Sequence, residues 1–238
     1  MDPLILERAL RLIKEIGVGV GIHGPWRDIA LASPRESIRR AGLKIFRKCI
    51  EFARKLEADY FNFHICTREA VEYDEVYRDV MQAAMISLKE ICRMCREAGV
   101  TPSLENNPTD FLSSLAEIRD LVLETEQLTI CLDVGHLGIA KLESRRKRRN
   151  PGELEEWIRE LGSKILVVHL HDYKLEGGRG YDHLLIGKGE LDLNKLAELL
   201  KRTQTRYVLL EIFWSERGKR ISMKELRNLL NSLRSILG

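Results

Sequence analysis

Apolar runs too short to be helices alternate with longer stretches of helical periodicity along this chain of 238 residues. A short run of Val, Ile and Leu is typical of a strand buried inside a parallel sheet. We predict six such strands, at residues 18–22, 60–64, 101–105, 128–133, 165–169 and 207–211. Helices are predicted at residues 35–56, 72–98, 110–125, 151–161, 192–202 and 223–237. This alternation implies a parallel sheet with right-handed crossovers, which is the α/β class.

The composition predicts one domain and a cytoplasmic protein. Hydrophobic residues make up 44% of the chain and no change of composition divides it, so residues 1–238 are predicted to form a single domain. Residues 1–17 are apolar at helical spacing but contain charged residues, which fits neither a signal peptide nor a membrane span. These charges are at Glu7, Arg8, Arg11, Lys14 and Glu15. We therefore expect a helix there, a cytoplasmic location and no membrane partner.

The cysteines and the net charge argue against two further classes of protein. Five cysteines, an odd number, indicate reduced thiols rather than a disulfide framework. Cys92 and Cys95 form a lone CxxC in a helical stretch, which we interpret as structural. The formal net charge of +3 is small and does not indicate a general nucleic-acid-binding surface. The exception is a run of five cations at residues 145–149, either a solvated loop or a contact for an anionic substrate such as a phosphate.

Side chains that can bind a metal ion lie at or near the ends of the predicted strands. They are Glu105, Asp133, His169 and Glu211, together with His23, His64, His136 and His183. Polar residues at the carboxyl ends of parallel strands meet at one edge of the sheet, where α/β enzymes keep their chemistry. One such residue is more often a surface residue than a ligand, but six strands behave alike here. Carboxylates and imidazoles are ligands of Zn, Mn, Co or Mg, so we predict a divalent metal cofactor.

These segments resemble, in order, those of the xylose-isomerase-like TIM barrels, a superfamily that includes endonuclease IV and many sugar isomerases and epimerases. The matching residues are His23 and Trp26 in HGPW, His64 in FNFH, Glu105 in LENN, Asp133 and His136 in LDVGH, His169 in VHLHD, His183 four residues before Gly187, and Glu211 in LLE. The resemblance covers nearly the whole chain. It implies a TIM-barrel-like parallel (β/α) barrel.

The resemblance also implies sets of metal ligands. Similarity to endonuclease IV implies three zinc ions, the first on His23, His64 and Glu105, and the second on Glu105, Asp133, His169 and Glu211. The third would use His136 and His183 with an Asp at position 181, where this chain has Tyr181. Similarity to the sugar isomerases implies one divalent ion, on the second set alone. His171, two residues after His169, could as easily face the helices, and we expect it to have no role.

The expected barrel is incomplete. The segment of His23 resembles the third strand of the family, and one predicted helix precedes it, so the first two βα units are missing from the pattern. A complete (β/α)₈ barrel takes roughly 250 residues, and we expect about six strands here. Exposed edges of a parallel sheet invite pairing, which predicts a homodimer that covers the gap.

The favoured function is a metal-dependent isomerase or epimerase of a small sugar or sugar phosphate. The ion would bridge adjacent substrate oxygens and acidify a carbon-bound proton, while Glu105 and Glu211 transfer that proton. Lys188 and Arg179, or the cations at 145–149, would bind a substrate phosphate. The missing units, the absence of Asp at position 181 and the small charge excess favour this small substrate.

Two alternatives stay open. In the first, clustered zinc ions cleave a phosphodiester of abasic DNA, and Trp26 stacks against the opened duplex. The pair His23 and His64 favours this alternative, because a one-metal sugar enzyme does not need both. In the second, the chain is a non-catalytic scaffold, an interpretation that the full set of ligands argues against.

Overall fold

The computed structural model describes residues 3–109, 111–147 and 150–237. The chain divides into two compact units, and each is described by itself. The first unit comprises Met1–Leu104 and Thr125–Thr129, and the second comprises Glu105–Glu124 and Ile130–Gly238. The prediction of a single domain over residues 1–238 stays a prediction.

The first unit consists of parallel strands that alternate with long helices. Its elements are α1 (Pro3–Ile16), β1 (Gly21–His23), α2 (Glu36–Lys55), β2 (Tyr60–Phe63), α3 (Asp74–Ala98) and β3 (Thr101–Glu105). Strand β2 pairs in parallel with both β1 and β3. Phe46 of α2 packs edge-on against Phe61 and Phe63 of β2, and all three side chains are buried. Helix α3 ends where Gly99 adopts φ +70°, a left-handed conformation that favours glycine.

The second unit begins where β3 ends and contains the remaining elements. Its helices are α4 (Leu115–Leu123), α5 (Val134–Lys147), α6 (Leu154–Leu161), α7 (Leu193–Leu200) and α8 (Met223–Leu237). Its strands are β4 (Thr129–Asp133), β5 (Ile165–Leu170), β6 (Asp172–Glu176), β7 (Arg179–Leu184), β8 (Tyr207–Leu210), β9 (Trp214–Glu216) and β10 (Lys219–Arg220). Strand β5 pairs in parallel with β4 and β8, and Val167 and Val168 in it are fully buried.

The described residues contain six parallel strands. Strands β1, β2 and β3 pair in the first unit, and β4, β5 and β8 pair in the second. The prediction of about six parallel strands is therefore confirmed, against eight in a complete barrel. All six lie within one or a few residues of their predicted positions. Apolar runs locate inner strands such as β4 and β5 well, because both faces of these strands are covered by other elements.

Two parts of the second unit differ from the sequence prediction. A second sheet, in the order β10-β9-β7-β6, was not predicted, because its strands are polar and half-exposed. Helix α5 was not predicted either, and the backbone of residues 145–147 forms its last turn rather than a loop. Arg148 and Arg149 of the predicted cationic run lie outside the described residues. A phosphate contact at 145–149 thus stays a prediction.

Two further features bear on the expected class of protein. No helix in the described part of the chain is long and apolar enough to cross a membrane. Cys92 and Cys95 are buried in α3, and burial raises the pKa of the Cys92 thiol to about 12. A thiol with such a pKa is protonated and unreactive at neutral pH, which supports the structural interpretation of this CxxC.

Candidate metal centre

Four side chains of the second unit that can bind a metal ion come together, each at or next to the carboxyl end of a strand; Glu105 belongs to this unit although the rest of β3 lies in the first. Glu105 ends β3, Asp133 ends β4, His169 lies one residue before the end of β5, and Glu211 directly follows β8. One ligand atom of each lies within 4.8 Å of the others. Glu105, Asp133 and His169 are buried, whereas 21% of the Glu211 side chain is exposed. This four-residue group therefore has one accessible member.

A single nitrogen of His169 faces three carboxylates. Its Nδ1 lies 3.1 Å from Glu105 Oε1, 3.1 Å from Glu211 Oε2 and 3.9 Å from Asp133 Oδ2. Three carboxylates gathered around one imidazole, and mostly shielded from water, carry excess negative charge that is costly unless a cation balances it. Oxygen and imidazole ligands suit zinc and several other divalent ions. The donor set of the four-residue group therefore fits a divalent metal ion.

The charges of the four-residue group shift one another's pKa values. Burial by itself lowers the pKa of His169, but contacts with Cys131 and two glutamates outweigh burial and raise it above its ordinary value. Burial by itself raises the pKa of Glu211, whereas the hydrogen bond and the charge of His169 lower it. The pKa of Asp133 is also lowered, because neighbouring histidines outweigh the effect of its burial. At neutral pH, the charged carboxylates of Asp133 and Glu211 therefore lie beside a protonated His169 imidazole.

Asn106 supports the four-residue group although it is not a member of it. Its side chain donates from Nδ2 to the main-chain oxygen of Asp133 at 3.0 Å, and its Oδ1 accepts from the Asp133 N–H at 2.8 Å. The main-chain oxygen of Asn106 accepts from Nδ1 of His136 at 3.0 Å, which places the lone pair of that ring at Nε2. The His136 N–H in turn donates to Asp133 Oδ1 at 2.7 Å. Asn106 thus fixes the positions of both residues.

A second group consists of the three histidines His136, His171 and His183, whose ligand atoms also lie within 4.8 Å of one another. The His171 and His183 rings are 4.2 Å apart between centroids. His183 donates from Nδ1 to the main-chain oxygen of Glu211 at 2.9 Å, and burial lowers its pKa, which favours the neutral imidazole. The backbone of His183 has φ +52°, which is uncommon for a residue other than glycine.

The first unit contains His23, His64 and Trp26, which lie close together. The rings of His23 and His64 are 5.4 Å apart between centroids, and Trp26 meets His64 edge-on at 6.4 Å. His23 donates from Nδ1 to the main-chain oxygen of Gly24 at 2.7 Å. Trp26 is 48% exposed, so its ring is accessible to a ligand. That His23 and His64 share an ion with Glu105 stays a prediction.

The residues predicted to bind substrate lie outside both groups. Arg179 is exposed at the start of β7, where its backbone lies opposite that of Glu176 in the antiparallel β6–β7 hairpin. Lys188 lies in the loop after β7, and its Nζ is 3.9 Å from Glu216. Tyr181 stands where the family pattern has an Asp, and its ring contacts the guanidinium of Arg217. Substrate binding by Trp26, Lys188 and Arg179 therefore stays a prediction.

The sequence predicts no role for Asn106, His171 or Asp172, yet all three are buried beside the candidate ligands. His171 faces the candidate ligands rather than the helices, because its Nε2 lies 3.1 Å from Asp133 Oδ2. The sequence contains a signal for this orientation, since residues two apart along an extended segment point the same way and His171 is two residues from His169. Asn106 and Asp172 have no comparable signal, because each acts through hydrogen bonds to main-chain groups distant in sequence.

A parallel sheet whose strand ends carry clustered carboxylates and imidazoles defines a (β/α)-barrel type of protein with a candidate divalent metal centre. Residues 1–235 match the family model described as xylose isomerase-like TIM barrel, and the chain belongs to this family. The resemblance stated from the sequence is thereby confirmed.

Curated relatives are similar at low identity. An uncharacterised protein of Methanocaldococcus jannaschii is 28% identical over 184 residues, which cover 76% of this chain and 65% of that protein. A second uncharacterised protein of the same organism is 26% identical, over 84% of this chain and 66% of its own length. The chain thus spans just under two thirds of these two relatives. A protein named probable endonuclease 4, of Aquifex aeolicus, is 28% identical over 84% of this chain and 72% of its own length.

Solved structures share the fold. A D-tagatose 3-epimerase-like protein has a TM-score of 0.78 at 21% identity, covering 99% of this chain and 83% of that chain. The IOLI protein, solved with a binding zinc atom, has a TM-score of 0.76 at 15% identity, covering 98% and 81%. These similarities confirm the predicted fold class, a TIM-barrel-like parallel (β/α) fold.

Proposed function

We propose that this protein is a divalent-metal-dependent isomerase or epimerase of a small sugar or sugar phosphate. The observation that carries the proposal is the four-residue group, in which Glu105 and Glu211 each approach the same nitrogen of His169 at 3.1 Å. Two carboxylates directed at one position suit a reaction that removes a proton from carbon and returns one. The epimerases among the solved structures of similar fold support the same class of reaction.

The four-residue group would hold the ion, with His169 Nδ1 and the carboxylates of Glu105, Asp133 and Glu211 as ligands. When bound, such an ion stabilises negative charge that develops on substrate oxygens. Glu211 is the member of the group that solvent reaches, so its carboxylate would transfer the proton at the substrate carbon. Glu105 is fully buried, and its carboxylate would act from the closed side of the group.

Histidines of the second group would orient the substrate. His183 is neutral at pH 7 because burial lowers its pKa, and its Nδ1 donates to the main chain, so its Nε2 would accept a hydrogen bond from a substrate hydroxyl. His136 has the same tautomer, set by Asn106. Lys188 and Arg179 would contact a phosphate.

The second candidate is a zinc phosphodiesterase that cleaves DNA at abasic sites. The specific observation that favours it is the cluster of His23, His64 and Trp26 in the first unit, where two imidazoles lie beside an exposed indole. The 28% identity to a probable endonuclease 4 supports it as well. Tyr181 argues against it, because the residue that should supply an acidic ligand packs against Arg217 instead.

Two parallel assays on metal-loaded protein would test the proposal. The protein, loaded with Zn, Mn, Co or Mg in turn, is incubated in D₂O with ketoses and ketose phosphates, and deuterium incorporation next to the carbonyl is followed by NMR. The same samples are incubated with a duplex that contains one abasic site. Exchange without cleavage is the expected result. Cleavage without exchange would establish the second candidate, and neither activity with bound metal would leave the scaffold interpretation.

A further inference from the structure

We propose that His171 is a positioning residue that holds Asp133 and His183 in place, a role that rests on the metal centre proposed above. Its ring is fully buried next to both residues. Nε2 lies 3.1 Å from Asp133 Oδ2, and Nδ1 lies 2.9 Å from the backbone nitrogen of His183. His171 therefore links Asp133 of the four-residue group to His183 of the second group.

The tautomer of His171 follows from the contacts of its two ring nitrogens. Nδ1 lies 2.9 Å from the His183 nitrogen and 3.2 Å from the main-chain oxygen of Asp172, so the contact with His183 is the shorter. A backbone N–H can only donate, so Nδ1 carries a lone pair that accepts from His183. The ring proton then lies on Nε2 and is donated to the Asp133 carboxylate. Both ring nitrogens are engaged in this way. His171 could bind a metal ion directly only by giving up one of the two hydrogen bonds.

Each hydrogen bond fixes a different feature of the site. The bond to Asp133 orients its carboxylate, the way a buried partner commonly orients a metal ligand. The bond from His183 N–H stabilises the left-handed backbone at φ +52°, a conformation that costs a residue with a Cβ free energy and persists where surrounding contacts hold it. Because that backbone directs the His183 ring, His171 sets the position of the ring as well.

Gly135 gives independent support, because its backbone forms one wall of the space that the His171 ring occupies. A Cβ atom added at Gly135 would lie 1.9 Å from Cε1 and 2.3 Å from Nδ1 of His171. A side chain at position 135 would therefore displace the ring without changing its chemistry. Gly138, one turn further along α5, offers a matched control. A Cβ atom there would lie 2.3 Å from Cζ of Tyr173, which belongs to neither group.

The two hydrogen bonds can be removed separately by substitution. In His171→Asn the amide oxygen stands where Nδ1 was and can still accept from His183, but no donor reaches Asp133. In His171→Gln the amide nitrogen stands near the former Nε2 and can still donate to Asp133, but the acceptor for His183 is lost. His171→Ala removes both. Zinc affinity is measured by competition with a chromophoric chelator, and zinc per chain by elemental analysis.

The expected result is selective. Zinc affinity falls about 10-fold to 100-fold in His171→Asn, His171→Ala and Gly135→Ala, as is typical when a partner of a metal ligand is lost. It stays within about threefold of the unaltered protein in His171→Gln and Gly138→Ala. Zinc per chain stays unchanged at saturating metal in every variant. Loss of one whole zinc equivalent in all three His171 variants would overturn the proposal, because it would make His171 a ligand. Unchanged affinity in His171→Asn would overturn it too.

Hydrogen exchange at the His183 amide supplies a readout that needs no metal. In the metal-free protein, exchange at this N–H is expected to be about tenfold faster in His171→Gln and His171→Ala, and unchanged in His171→Asn. Equal exchange rates at this N–H in all variants would contradict the hydrogen bond from His183 to His171. Each variant is compared with the unaltered protein separately, so this conclusion holds even if one variant folds poorly. If the unaltered protein binds no zinc, the proposed function fails, while this measurement still decides whether His171 positions His183.

Discussion

Exposure separates the carboxylates of the four-residue group. Glu105 and Asp133 are fully buried, whereas Glu211 keeps 21% of its side chain accessible. One carboxylate oxygen of each residue lies within 4 Å of His169 Nδ1. Their difference in exposure therefore does not come from a difference in distance to the candidate metal position. It arises because Glu211 follows β8, whose side chains are only partly covered. A group that must meet a substrate has to be reachable, which singles out Glu211 for proton transfer.

Substitution of Glu211 by glutamine should therefore reduce turnover much more than stability. The amide keeps the size of the side chain but cannot take up a proton, and loss of a general acid or base typically costs about 10² to 10⁴ in rate. Metal affinity should fall too, since an amide oxygen is a weaker ligand. Turnover and zinc content are measured beside Glu126→Gln, a control at an exposed position. Full turnover in Glu211→Gln would remove the residue from the site.

Metal binding should release a proton from His169. The carboxylates and Cys131 raise the pKa of His169 above its ordinary value despite burial, so the imidazole is protonated at neutral pH in the metal-free protein. A metal ion binds the neutral imidazole, so the proton must leave. Affinity should therefore rise with pH, by up to about tenfold per unit while one proton is released. Calorimetry in buffers of different ionisation enthalpy counts the protons, and a count of zero at pH 7 would contradict the charge assignment.

Candidate ligands could be predicted from the sequence more readily than the residues that support them. Glu105, Asp133 and His169 stand at the ends of apolar runs, and the carboxyl ends of parallel strands meet in space whatever the details of packing. Asn106 and His171 act through hydrogen bonds to Asp133, 27 and 38 residues away. Which atoms those side chains reach depends on the packed structure, so no pattern of residue types indicated their partners, although the spacing from His169 favours the same side for His171.

Among the elements, the β6–β7 hairpin shows how a polar segment positions the site. Asp172 at the start of β6 is fully buried, and its two carboxylate oxygens accept four backbone N–H groups. Oδ1 accepts from Tyr173 and Leu191, and Oδ2 accepts from Gly187 and Gly189, all at 2.8 to 2.9 Å. One carboxylate therefore ties the start of the hairpin to the loop that follows it. That loop contains Lys188 and directly follows the strand of His183.

Replacing Asp172 by asparagine should loosen this loop. The amide nitrogen cannot accept, so two of the four N–H groups lose their partner, and leaving a buried donor unsatisfied costs about 1 to 3 kcal/mol. The free energy of unfolding is measured by urea denaturation. Asp79→Asn, at an exposed position in α3, is the control and should change it by less than about 0.5 kcal/mol. Equal stability of the two variants would show that the loop does not depend on Asp172.

The elements differed in how well the sequence predicted them. Strand β5 of the parallel sheet carries an uninterrupted apolar run, residues 165–168, because it is buried on both faces. Strands β6 and β7 consist mostly of exposed and half-buried residues around a Gly177–Gly178 turn, and β10 has two exposed cations. Their stability comes from pairing with one another and from Asp172 rather than from burial of apolar side chains. A hydrophobicity pattern cannot indicate strands that form for such reasons.

At the scale of the whole molecule, β8 is the feature that bears on assembly. In the described part of the sheet it is the last strand, and its pairing partner is β5. Val208 and Leu209 point to opposite faces, yet they are 40% and 43% exposed. An apolar strand that is open along one edge and exposed on both faces is a site for association with another chain. We therefore expect two copies of the chain to pair through β8.

A single charge on β8 should prevent this association. Leu209→Lys places an ammonium group where an apolar side chain would be buried between copies, and edge strands commonly avoid pairing through such lysines. Light scattering after gel filtration should give the mass of two chains for the unaltered protein and of one chain for Leu209→Lys. Leu123→Lys, which alters an equally apolar and more exposed residue at the end of α4, should stay dimeric. An unaltered protein with the mass of one chain at every concentration would show that β8 tolerates its exposure without a partner.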